Sequence, residues 1–152
     1  MRFRSSQFPH LLLILVASTL ASATLMAVAT SAGAAASNPV TVTAKLVEIP
    51  SKFPPDDLYD YAYVMRYVVI GGPMDKQSIL VAHYKPRVGR TAIKDQMKSV
   101  VSGKVRSFHQ GDVHKLQLTP DLKSVWRGAL VDEFAATDHK SIRYFALVAD
   151  PA

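Results

Sequence analysis

The chain has 152 residues and no cysteine, with 18 lysines and arginines against 12 aspartates and glutamates, a formal net charge of +6. Without cysteine there is no disulfide, no thiol nucleophile, no thiolate metal ligand and no cysteine-linked lipid anchor. A domain this short buries a modest core and must be held by packing alone or by a partner.

The first stretch carries an export pattern. Arg2 and Arg4 give a basic start, Leu11 to Thr30 is free of charge, and Ser31-Ala-Gly-Ala-Ala-Ala36 offers small residues for cleavage after Ala34 or Ala36. This predicts a secretory signal peptide over residues 1–36 and one mature domain over 37–152, periplasmic or secreted. The rival reading is an uncleaved anchor, since Leu11 to Thr30 is about long enough to span a bilayer. Its many Ala, Ser and Thr residues make it weakly hydrophobic for that role. The mature domain is expected not to span a membrane, and export takes it away from nucleic acid.

Val40-Thr-Val-Thr-Ala-Lys-Leu46 alternates, with Val40, Val42, Ala44 and Leu46 on one face. After Leu46 the phase slips to Val47 and Ile49, which predicts a β-bulge in a bent first strand. Pro50 ends it. Ser51 to Asp57 reads as a loop in which Phe53 plugs one end of the core. Asp56, Asp57 and Asp60 lie close together, but no calcium-loop pattern surrounds them.

Asp60 to Ile70 and Ser78 to His83 are the most β-prone runs and predict a long hairpin. Both alternate sets of its first strand are mostly apolar. Arg66 places its own set outward, because an unpaired buried guanidinium is costly. Tyr61, Tyr63, Met65, Tyr67 and Val69 therefore face inward. Gly71-Gly72-Pro73 breaks the strand and residues 74–77 carry the turn.

Tyr84 to Arg90 is a loop. Thr91 can cap a helix from Ala92 to Val101, with Ile93, Met97, Val100 and Val101 as its apolar stripe. Gly103 sits where that helix would stop. Gly111-Asp112 is a turn, and Val113 to Thr119 alternates as a strand. Asp121 to Lys140 is the least regular part, with Trp126 read as core. Ile142 to Val148 is the last strand.

The order of strand, strand, strand, helix, strand, strand predicts a mainly β fold. It is the order of a small five-stranded barrel of the oligonucleotide/oligosaccharide-binding (OB) kind, with one short helix between strands three and four. The chain also resembles a group of uncharacterised small exported bacterial proteins. The stretches that carry the likeness are Lys52-Phe-Pro-Pro-Asp-Asp-Leu-Tyr-Asp-Tyr61, Ile79-Leu-Val-Ala-His-Tyr84, Gly111-Asp-Val-His-Lys115 and Tyr144-Phe-Ala-Leu-Val-Ala-Asp150. The resemblance implies an association with the cell envelope and with exopolysaccharide acetylation.

No H-E-x-x-H, serine elbow or phosphate-cradling glycine motif occurs, so no catalytic residue, metal ligand or cofactor is assigned. His109 and His114 flank Gly111-Asp112 and can meet across the turn. The basic residues cluster locally at Lys85, Arg87, Arg90 and Lys94, and the face around His83, Tyr84, Lys85, Arg87 and Arg90 joins basic side chains to an aromatic, a set suited to an anionic or sugar ligand. The leading expectation is a non-enzymatic binding or accessory module that uses this set on an envelope polysaccharide or envelope protein. The alternative is a small periplasmic hydrolase with a carboxylate/histidine site drawn from Asp57, Asp60, His109 and His114.

Overall fold

A computed structural model describes residues 38–152. The predicted signal peptide lies outside the described residues. Seven strands occur among the described residues: β1 (Val40–Glu48), β2 (Tyr61–Val69), β3 (Ser78–Tyr84), β4 (Ser102–Gly103), β5 (Val113–Thr119), β6 (Ala129–Val131) and β7 (Arg143–Pro151). One α-helical turn, α1 (Leu122–Val125), precedes β6.

The strands form one seven-stranded mixed sheet in the order β1-β5-β7-β3-β2-β6, with β4 beside β7 and a further pairing of β1 with β2. This corrects the expected five-stranded barrel of the OB kind. Two strands divide an edge between neighbours. Tyr61–Tyr63 of β2 pair in parallel with Ala129–Val131 of β6, while β1 reaches β2 only at Arg66–Val69. Likewise β7 meets β3 at Arg143–Phe145 and β4 at Val148 and Ala149. The register of β1 on β2 shifts between Leu46 and Glu48, where the phase slip predicted a bulge. A bulge bends its strand. The first half of β2, beyond the reach of β1, takes its partner from β6, because buried backbone groups need one.

The predicted helix over 92–101 is also corrected. The segment holds two 3₁₀ turns, Arg90–Ala92 and Gln96–Ser99, separated by an extended Ile93. The cap is Asp95 rather than Thr91; its carboxylate accepts from the Met97 N–H at 3.0 Å. A short acidic side chain that bonds its own backbone competes with the helix ladder. The apolar stripe is still used, since Ile93, Met97 and Val101 are buried. The only α-helical turn among the described residues comes after β5, not between β3 and β5.

The sheet is covered on both faces, which explains why both alternate sets of β2 are apolar. Tyr61, Tyr63, Met65, Tyr67 and Val69 pack in one core with Leu46, Leu116, Leu118 and Phe108. Ala62 and Val64 pack in a second with Tyr84, Trp126, Phe134 and Phe145. The inward tyrosine set is thus as expected. Arg66 is half-buried at the sheet surface: its Nε lies 3.3 Å from Glu48 Oε2, and its guanidinium covers the Phe134 ring at 4.6 Å. Phe53 meets Tyr63 edge-on at 5.0 Å and covers the first core. No helix among the described residues is long and apolar enough to cross a membrane.

Candidate functional site

Tight turns and bulges place polar groups at one end of the sheet. The Gly111-Asp112 turn is fastened to the bulged end of β1: Gly111 N–H donates to Leu46 O at 2.7 Å, and Leu46 N–H to Asp112 O at 2.8 Å. Gly111 has φ +100°, which glycine adopts without strain. Asp112 Oδ2 accepts the His109 N–H at 2.9 Å and lies 3.4 Å from His109 Nδ1. The same oxygen lies 3.9 Å from Nε2 of His114, which β5 directs inward. One carboxylate thus stands between two imidazoles. The His109 side chain is 71% exposed and the His114 side chain 4%.

These three residues line a cleft of about 380 Å³ with Lys104, Arg106, Ser107 and Pro151. Neither Lys104 nor Arg106 has a carboxylate partner among the described residues. The cleft therefore joins an accessible histidine, an orienting carboxylate and two free cations.

Behind it His114 continues into a buried network. The Tyr67 hydroxyl lies 3.3 Å from His114 Nδ1 and 3.1 Å from His83 Nε2. Phe108 packs against both imidazoles, 4.5 Å from His83 and 5.5 Å from His114 by ring centres. Burial pushes both histidines below their ordinary value; the Arg90 guanidinium adds to this at His83, and Asp112 opposes it at His114. Both imidazoles are neutral at pH 7. Burial also raises the Tyr67 phenol, with Asp112 acting the same way and Arg90 against.

The basic set read from sequence separates. His83 and Arg90 are buried, at 0% and 3% exposure. Arg90 donates through Nη2 to Lys85 O (2.7 Å) and Val88 O (2.8 Å) and covers Phe108, so it braces the loop from within. Burial lowers its pKa to about 10, which leaves it charged at neutral pH. Tyr84 is buried and donates its single hydroxyl hydrogen among Asp60 (3.0 Å) and Asp95 (2.9 Å). Lys85 Nζ closes the same group, 2.6 Å from Asp60 and 3.0 Å from Asp95. The bond to Asp60 raises the Lys85 pKa against the pull of burial. Of the five, Arg87 alone offers a half-exposed cation, 3.9 Å from Asp56.

The proposed acid/histidine set divides too. His109 and His114 meet at Asp112, as their spacing suggested. Asp60 belongs with Lys85, and Asp57 is exposed in the loop before β2. No group of three or more potential metal ligands occurs among the described residues. A third polar group joins Ser51, Tyr63 and Glu133. The Ser51 hydroxyl donates to Glu133 Oε1, and the Tyr63 hydroxyl lies 3.2 Å from that oxygen.

Sequence reading missed the Tyr67 link, because it forms across strands and Tyr67 looked like any inward aromatic. It missed Lys104 and Arg106, which belong to no charge run. Asp95 was hidden inside a stretch with helical periodicity.

Compared with protein-family models, with curated proteins and with solved structures, the chain matches none of them.

Proposed function

We propose that the chain is a small exported hydrolase of anionic esters whose site is the His109–Asp112–His114 cleft. The observation that carries this reading is the placement of Asp112 beside Nδ1 of an exposed histidine. A carboxylate there favours the tautomer whose Nε2 keeps its lone pair, the form that can take a proton from water. The hydroxide so formed attacks the acyl carbon, and the imidazolium returns the proton to the departing oxygen. Lys104 and Arg106 supply charge for the substrate's anionic group. The buried, neutral His114 lies 3.9 Å from the same Asp112 oxygen and does not compete for solvent protons. The composition of residues 1–36 supports an exported location.

The binding-module reading through residues 83–90 has less support, because Lys85 is already paired within the chain and His83 and Arg90 are buried. Its remaining accessible cation is Arg87.

The test is hydrolysis of 4-nitrophenyl esters with an acidic acyl chain, compared with a neutral acetate. Turnover is expected with the acidic esters, and His109→Ala should lower it about 100-fold, the usual weight of a general base. His109 is exposed, so that variant keeps its fold. Turnover that survives the substitution, or none above the buffer rate on any ester, overturns the reading.

A further inference from the structure

A second cleft lies where α1 runs into β6. Leu122, Trp126, Gly128 and Leu130 form its apolar part, and Lys123 and Arg127 stand at its rim. Its volume is about 530 Å³, within the range of about 300–1,000 Å³ usual for small-molecule sites. We propose that this cleft binds a monomeric amphiphilic anion: a carboxylate on a hydrocarbon chain.

Three features carry the proposal. First, Trp126 presents hydrocarbon only. Its indole N–H is already donated to Ala129 O at 2.9 Å, and Tyr84 holds the ring from behind at 5.0 Å in a T-shaped contact. Second, the Gly128 backbone lies directly against the benzo edge of the largely buried Trp126. A Cβ at that position would fall 2.3 Å from Trp126 Cζ2, so a larger residue there would displace the ring that backs the cleft. Third, charge surrounds an apolar floor. Lys123 and Arg127 have no carboxylate partner among the described residues. Asp121, the acid nearest in sequence, turns its carboxylate to the Ser124 N–H at 3.3 Å. Leu130 is 40% exposed, and its apolar surface gains most from a chain laid across it. A neutral hydrocarbon would leave the two cations unused, and a small inorganic anion would leave the floor wet.

Trp126 is the only tryptophan in the chain and lines this cleft, so a ligand seated there changes its emission. The full chain is titrated with dodecanoate below its micelle concentration. A saturable change in Trp126 emission is expected. Dodecanol should bind at least roughly tenfold more weakly, and so should dodecanoate to the Lys123→Glu, Arg127→Glu double variant, whose exposed substitutions leave the core untouched. Circular dichroism matching the parent chain confirms that the variant is folded, and the single Leu130→Ser variant, also weakened, provides an independent check. No saturable change, equal affinity for dodecanol, or undiminished binding by the reversed-charge variant overturns the proposal. A response to anionic vesicles but not to monomeric dodecanoate also overturns it, in favour of a membrane surface.

Discussion

The Tyr67 hydroxyl and His83 Nε2 meet at 3.1 Å in a fully buried position. The neutral state of that imidazole follows from burial first and from the nearby charge of Arg90 second. His114, on the other side of the same hydroxyl, is held down by burial against the pull of Asp112. Their folded pKa values are depressed, so the unfolded chain binds more protons than the folded one just below the ordinary histidine value. Stability is therefore complete above about pH 6.5 and falls as the pH drops through the depressed values. Urea unfolding midpoints at pH 7.5, 6.0 and 5.0 should decline in that order. The His83→Gln variant should show a flatter decline, because His114 is then the only buried imidazole left in the network. An unchanged slope would mean that these imidazoles do not govern the acid response.

Tyr67 has one hydroxyl hydrogen, so it donates to one imidazole and accepts from the other. Tyr67→Phe removes both bonds while it keeps the ring that fills the core. Each imidazole then holds a buried nitrogen without this partner. A loss of about 1–3 kcal/mol is expected, measured by chemical denaturation at pH 7.5. The loss should be much smaller in a His83→Leu, His114→Leu background that has no nitrogen to leave unpaired. Equal losses in both backgrounds would assign the effect to packing.

Lys85 settles a conflict that Tyr84 cannot. Two carboxylates, Asp60 and Asp95, lie within hydrogen-bond distance of one phenol that has one hydrogen to give. The ammonium supplies the missing donors and the opposite charge. Lys85→Met keeps most of the aliphatic stem but leaves the carboxylates facing each other. It should cost about 1.5–3 kcal/mol, the range for hydrogen bonds to charged groups. Asp60→Asn should cost less, because Lys85 keeps Asp95. The two denaturation midpoints, measured side by side, test that order.

β1 and β5 were legible from their alternation, and β2 and β3 from their runs of aromatic and β-branched residues. Val42, Ala44 and Leu46 mark β1, Leu116 and Leu118 mark β5, and the dense tyrosine and valine content marks β2. The phase slip after Leu46 located the bulge. β4 and β6 were not legible, since two or three residues carry no period. Those short strands are what divide the edges of β2 and β7, so the five-strand architecture failed where the sequence had least to say. In the site, the spacing of His109, Asp112 and His114 was enough to bring them together. The fate of residues 83–90 was not readable, because a strand residue's burial depends on what covers its face. Phe108, the ring that Arg90 covers, comes from a segment well outside that loop.

Among the described glycines, Gly103 has the closest neighbour. It has φ +120°, and a Cβ there would lie 2.1 Å from the Ala149 carbonyl oxygen. The neighbouring backbone cannot retreat, because Ala149 O accepts from Lys104 N–H at 3.0 Å and Val105 N–H at 3.1 Å. The sequence suggested a helix stop here; the structure instead uses the glycine to press β4 against β7. Gly103→Ala must therefore push these strands apart as well as strain the backbone. Gly111 has a similar dihedral, φ +100°, but nothing lies within 4 Å of its would-be Cβ. Gly111→Ala should show the dihedral penalty alone, about 1–2 kcal/mol. Gly103→Ala should exceed it by a further 1–3 kcal/mol or so, the usual cost of overpacking. Thermal and urea unfolding of the two variants would measure the difference. Similar losses would mean that the β4–β7 contact gives way easily and that the glycine there serves only its dihedral.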